Sequence, residues 1–173
     1  MERSPAVYRA VRSLRAVRHF RPDPLSDQDR TAILEAARWT GSSKNRQHWV
    51  FVVIRERERL DRLAECGDFT TPLRNAPEAI VPVGIPGSYE WDLGRASQNI
   101  MLAAAALGIG SCPVTMHRED CARDLLGVPA DHRCRYVIAL GHPDEEAERE
   151  ARTRSPLHGR KSFDEVVRWE TFT

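Results

Sequence analysis

Residues 92–116 read DLGRASQNIMLAAAALGIGSCPVTM, and their pattern sets the architecture around them. From Asp92 to Leu107, alanine, leucine, isoleucine and methionine crowd almost every face of a 3.6-residue repeat, and Gly108 supplies a stop. The stretch predicts a central buried helix. Ser111 to Met116 then reads as a strand. Gly108 and Gly110 thus lie where a helix gives way to a strand, the reverse of the order needed to bind a pyrophosphate at a helix N-terminus. With the third glycine of that fingerprint missing as well, they read as a helix stop and a turn.

Working outward, Glu119 to Leu126 predicts a helix stopped at Gly127, and Arg135 to Leu140 a strand ending in Gly141, followed by a charged loop. Upstream, Ala79 to Gly84 is a strand that Pro82 marks as an edge or a bulged one. Glu56 to Glu65, with Leu60 and Leu63, is a short surface helix before a Gly-, Pro- and Thr-containing connection over residues 67–72. Trp49 to Ile54 is a buried strand entered from the polar stretch Gly41 to Gln47. Ser26 and Asp29 resemble a capping box for a helix carrying Ile33, Leu34 and Ala37 as far as Trp39. Val7, Ala10, Val11 and Leu14 recur at helical spacing before an Arg-rich stretch ending at Phe20. The tail from Phe163 to Phe172 carries Val166, Val167, Trp169 and Phe172 on a segment too short to use them, so it is expected to pack on something else, such as a partner subunit. The order of elements is an α and β mixture without Rossmann alternation.

The 173 residues, 41% hydrophobic and 29% charged, suit one globular domain. A formal net charge of +1 offers no global field for nucleic acid or an anionic membrane, so any anion site is local. Neither a signal peptide nor an apolar run of roughly 18 residues is visible, and a cytoplasmic location is expected. The cysteines, Cys66, Cys112, Cys121 and Cys134, form no CxxC pair, and reduced thiols are the simplest reading. His19, His48, His117, His132, His142 and His158 are scattered without metal-ligand spacing, and no nucleophile elbow appears. Redox work by such a chain would belong to a bound cofactor that side chains hold and tune.

Two polar constellations remain. Arg15, Arg18 and Phe20 follow the first helix, where two guanidinium forks suit an anion and the ring anchors the loop. Arg3, Arg9, Arg12 and Arg21 allow the plainer reading that this end is simply Arg-rich. Ser42, Asn45, Gln47 and Trp49 supply donors and acceptors just before a strand, as a binding loop or as an ordinary polar turn.

Taken in order, these pieces resemble the nitroreductase family over nearly the whole chain. The resemblance runs through residues 15–20 (RAVRHF), residues 36–39 (AARW), Ser42, Asn45, Gln47 and Trp49, then Asn99, residues 106–112 (ALGIGSC), residues 139–141 (ALG) with Pro143, and residues 159–161 (GRK). It implies an α+β fold, a three-layer α-β-α sandwich with a mixed, mostly antiparallel sheet, in an interlocked homodimer with FMN at the subunit interface. By the same resemblance, Arg15 with Arg160 or Lys161 holds the phosphate, Ala16 lies in the cofactor loop, and Arg18 faces the pyrimidine edge of the flavin. Ser42, Asn45 and Gln47 touch the cofactor, and Thr115 with the backbone of Met116 lies near its reactive edge. Relatives often carry a basic residue where this chain has Leu14, and serine where it has Ala16, which shifts the phosphate grip toward the C-terminal pair. The implied activity is an NADH- or NADPH-dependent flavin oxidoreductase reducing nitroaromatic, quinone or similar conjugated acceptors by a ping-pong mechanism. The alternatives are the same fold with another flavin reaction, such as dehalogenation, ring dehydrogenation or flavin fragmentation, or a non-catalytic flavin-binding or sensor dimer.

Overall fold

A computed structural model describes residues 5–154 and 159–172; Arg3 and His158 lie outside them. The elements run α1 (Pro5–Ser13), α2 (Asp27–Arg38), a single 3-10 turn (Ser43–Asn45), β1 (Trp49–Ile54), α3 (Arg57–Ala64), α4 (Thr71–Asn75), β2 (Glu78–Gly84), α5 (Glu90–Ala106), β3 (Gly110–Thr115), α6 (Glu119–Leu126), β4 (Tyr136–Gly141), α7 (Glu145–Arg154) and α8 (Phe163–Val166). The four strands form one sheet in the order β1-β2-β4-β3, with every pair antiparallel.

Strand alternation makes the layers. On β2 and β4, Ala79, Val81, Val83, Val137 and Ala139 point to a core shared with Leu60 and Leu63 of α3, Leu73 of α4 and Ala122 of α6. Ile80, Ile138 and Leu140 point the other way, onto Ile33 and Ala37 of α2 and Ile100 and Ala104 of α5. Both faces are covered by helices, which is why β2 is buried along its whole length. The helix over residues 90–106 packs by one face, through Leu93, Ala96, Ile100 and Ala104. Its other side, including Leu102, Ala105 and Leu107, is half-buried or exposed, so its apolar excess exceeds what one chain covers.

Four expectations are corrected. First, β2 is interior, not an edge. Its pairing with β4 ends at Ile80, and Gly84 then exchanges backbone bonds with Arg133 at 2.9 and 2.8 Å. By the two-residue alternation the nitrogen of Pro82 faces the gap between them, where no ladder bond is lost. Second, the charged stretch after Gly141 forms α7, which buries no residue and so lacks apolar periodicity. Asp144 Oδ1 caps it by accepting the Ala147 N–H at 3.0 Å. Acids in its first turn and arginines in its last match the helix dipole. Third, the connection after Gly67 contains α4, started by Pro72 in its first turn. Fourth, Cys66 and Cys121 form a disulfide with Cα atoms 5.5 Å apart, leaving Cys112 and Cys134 as buried thiols. The partners are separated by 55 positions and meet only because α3 and α6 pack side by side, which local spacing cannot reveal.

A buried ion pair also escapes the sequence pattern. Arg30 of α2 donates through Nε to both oxygens of Glu78 at 2.8 and 2.9 Å, and through a terminal nitrogen to the Leu25 carbonyl at 3.0 Å. No helix among the described residues is long and apolar enough to cross a membrane.

Candidate functional site

The basic loop is fastened to the free edge of β3. Val17 donates its N–H to the Ser111 carbonyl at 2.9 Å, Phe20 bridges Pro143, and Arg21 donates to the His142 carbonyl at 2.8 Å. Phe20 is buried beside Gly141, where an added Cβ would come within 2.9 Å of the Phe20 Cβ. The carboxylate of Glu148, from α7, accepts the backbone N–H groups of Arg18 and His19, the latter at 2.8 Å. Backbone thus anchors the loop and leaves the guanidinium groups outside. One terminal nitrogen of Arg15 donates to the carbonyls of Arg12 and Leu14 at 2.8 and 2.7 Å. Neither Arg15 nor Arg18 pairs with a carboxylate among the described residues. Ala16, half-buried, packs against the core between them.

The amide loop stands elsewhere. Lys44, Asn45 and Gln47 all adopt positive φ, at 54°, 53° and 52°, a conformation costly for residues with a side chain. Local bonds hold it: Ser42 Oγ accepts the Gln47 N–H at 2.9 Å, Gln47 Nε2 donates to Asn45 Oδ1 at 3.1 Å, and Asp92 Oδ2 accepts the Ser43 N–H at 3.1 Å. Asp92 is buried in the first turn of α5, so the central helix fixes the loop's position. Asn99 of that helix donates to Thr40 Oγ1 at 2.7 Å, tying α5 to the chain entering the loop. Beside it, His48 Nδ1 is enclosed without a hydrogen-bond partner among the described residues. Three positive-φ residues are thus held in place by side-chain bonds, next to a polar atom without a partner among the described residues.

Strand register shows how far apart these groups lie. Trp49 opens β1 opposite Gly84, the last residue of β2, whereas Ser111 near the start of β3 pairs with Leu140 near the end of β4. The basic loop and the amide loop therefore occupy opposite edges and opposite ends of the sheet. With strands about 4.8 Å apart and about 3.3 Å per residue, that diagonal is roughly 25 Å. Thr115 shares the β3 edge with the basic loop, four positions beyond Ser111, and pairs with Tyr136. Met116 is buried and its N–H is committed to the Arg135 carbonyl at 2.7 Å. Arg160 and Lys161 sit exposed ahead of α8, on the tail. One chain thus brings Arg15, Ala16, Arg18 and Thr115 to one strand edge and Ser42, Asn45 and Gln47 to another corner.

The model of the nitroreductase family matches residues 11–68 and 72–142. The chain belongs to the nitroreductase family. A relative from Archaeoglobus fulgidus, whose name carries NADH dehydrogenase and NAD(P)H nitroreductase, is 36% identical over 143 residues, covering 76% of this chain and 82% of that protein. A similarly named protein of Methanothermobacter thermautotrophicus is 31% identical, covering 80% of this chain and 78% of the relative. Among solved structures, the FMN-dependent nitroreductase NfnB of Mycobacterium smegmatis, in complex with NADPH, superposes with a TM-score of 0.78 at 25% identity, over 96% of this chain and 98% of that one. A nitroreductase-like structure from Parabacteroides distasonis reaches a TM-score of 0.84 at 22% identity, over 98% and 100% of the two chains, and shows the shared α+β sandwich. In this member of the family the props Glu148 and Asp92 were invisible in the sequence, because each is a carboxylate more than 45 positions from the loop it fixes.

Proposed function

We propose that this single-domain protein is a cytoplasmic homodimer that binds FMN at its subunit interface, takes electrons from NADH or NADPH, and reduces nitroaromatic, quinone or similar conjugated acceptors in a ping-pong cycle. NAD(P)H-dependent oxidoreductase activity follows from the family and from relatives named as NAD(P)H nitroreductases and an NADPH-flavin oxidoreductase. The observation that carries the interface site is the separation of the two loops. A flavin cannot meet both corners of one sheet, and in the proposed dimer a two-fold axis would bring the amide loop of one copy to the basic loop of the other. The uncovered apolar residues fit the same arrangement. Val7 and Val11 of α1, Trp39 after α2, and Leu102 and Ala103 of α5 line an open groove, while Trp169 and Phe172 of the tail are largely exposed.

The donor set fits FMN. Cations without carboxylate partners suit a phosphate and an electron-rich pyrimidine edge, and hydroxyl and amide groups suit the remaining polar positions. FMN held there would supply two-electron hydride chemistry. Arg15, with Arg160 or Lys161, would hold the phosphate by charge. Arg18 stands at the pyrimidine edge, where a fixed cation favours added negative charge in a partly desolvated site. Ser42, Asn45 and Gln47 orient the ring system from the other copy. No side chain acts as acid or base in the first half-reaction, which depends on stacking distance and orientation. In the second, the Thr115 hydroxyl or water delivers the proton.

The test pairs two defective variants, one with Arg15→Ala and Arg18→Ala, the other with Ser42→Ala and Asn45→Ala. Co-expressed, they should regain about a quarter of the wild-type FMN content, since half of randomly assembled dimers are mixed and each rebuilds one of its two sites. No recovery in demonstrably mixed dimers would contradict the interface site.

A further inference from the structure

The segment over residues 65–70 is tied to the end of β3 by backbone, side-chain and covalent bonds. Arg118, just before α6, donates its backbone N–H to the Cys66 carbonyl at 2.9 Å. Its guanidinium reaches the carbonyls of Glu65 and Gly67 and, at 2.6 Å, the carboxylate of Asp68. That contact holds the Asp68 carboxyl below the usual carboxylate range. The Asp68 N–H donates to His117 Nδ1 at 3.1 Å, and a Cβ on Gly67 would lie 2.7 Å from the Thr115 carbonyl oxygen. The Cys66–Cys121 disulfide closes the same joint covalently. What the joint presents is Phe69, 82% exposed, with its ring edge-on to His117 at 6.0 Å.

The two halves of the disulfide differ. Cys66 is fully buried behind α3, while Cys121, in the first turn of α6, is exposed. An attacking thiolate approaches Cys121 and must expel Cys66 as the leaving group, into apolar surroundings at the C-terminal end of a helix, where a thiolate is disfavoured. A monothiol adduct on Cys121 is therefore returned by the adjacent Cys66 thiol, whereas a dithiol removes itself by ring closure before that return.

We propose that Cys66–Cys121 is a reversible thiol–disulfide site, entered at Cys121 and selective for dithiol reductants, that sets how firmly residues 65–70 and Phe69 are held against the end of β3. In the reaction, a thiolate of the dithiol bonds to Cys121 Sγ and Cys66 leaves as a thiolate and takes a proton. The reductant's second thiolate then displaces Cys121, which takes the second proton. The pair gains two electrons and two protons, and the reductant departs as its cyclic disulfide. The site stands independently of the flavin reading, because every group in it belongs to this chain.

The experiment uses the full-length protein, first equilibrated with oxidised dithiothreitol, then exposed without denaturant to reduced dithiothreitol or to glutathione. Alkylation with mass mapping follows, beside hydrogen exchange of the 66–70 amides. The expected result is labelling of Cys121 after dithiothreitol with Cys112 and Cys134 unlabelled, Cys66 following only as the freed 65–70 segment opens, a trace glutathione adduct confined to Cys121, and 66–70 amides that exchange faster, on the order of tenfold, once the bond opens. Cys121→Ser should show the same fast exchange without reductant. Labelling that requires unfolding, an adduct on Cys66, equal opening by glutathione, or unchanged exchange after opening would each overturn the proposal.

Discussion

Replacing Glu78 with alanine removes the buried partner of Arg30, and the cost follows from what is left behind. The two side chains are 10% and 2% exposed, and the Arg30 Nε is shared by both carboxylate oxygens at 2.8 and 2.9 Å. After the change the guanidinium keeps the Leu25 carbonyl and Asp27, but Asp27 is 93% exposed and its attraction is screened. Breaking a buried pair from one side costs about 3–5 kcal/mol. The remaining contacts put this case near the lower end, at about 3 kcal/mol, or a fall in Tm of roughly 6–12 °C for a domain of this size. Urea unfolding at fixed protein concentration, with thermal melts beside it, reads the difference. A double variant, Arg30→Met with Glu78→Leu, should recover most of the loss, because it removes both desolvation costs together. A Glu78→Ala protein within about 1 kcal/mol of wild type, or a double variant no better than the single, would refute the reasoning.

Two other outcomes follow from the same structure. Burial, with Glu119 adding to it, pushes the Cys134 thiol up to about 11, and burial raises Cys112 as well. The folded chain therefore keeps protons that the unfolded chain loses above about pH 8.5, so stability holds below that point and falls as pH rises toward 11; stability that stays flat across this window in urea titrations would contradict it. Arg18→Ala should lower the reduction potential of bound FMN while some FMN stays bound; an unchanged potential would remove Arg18 from the pyrimidine edge.

The layers were legible because apolar positions repeat. Ile33 with Ala37, Leu60 with Leu63, and the alternation through β2 and β4 each bury one face, and burial is what periodicity records. Helix α7 was not legible, since it buries nothing and is held by Asp144 and charge order. Pro82 misled because proline reports the fate of one N–H and not the position of a strand in its sheet. At the site, Arg15, Arg18, Ser42, Asn45 and Gln47 were found as composition clusters given meaning by resemblance. Their distance across the sheet, the props Asp92 and Glu148, and the disulfide are long-range facts that only the fold creates.

The proposed function requires that this chain hold FMN and reduce it with a nicotinamide. An absorption spectrum of the purified protein with added FMN, followed anaerobically through addition of NADH and then NADPH, tests it most directly. The expected result is a protein-bound flavin spectrum that one or both nicotinamides bleach and an added quinone restores. A protein that takes up no FMN, or one whose bound flavin neither nicotinamide bleaches, would contradict it.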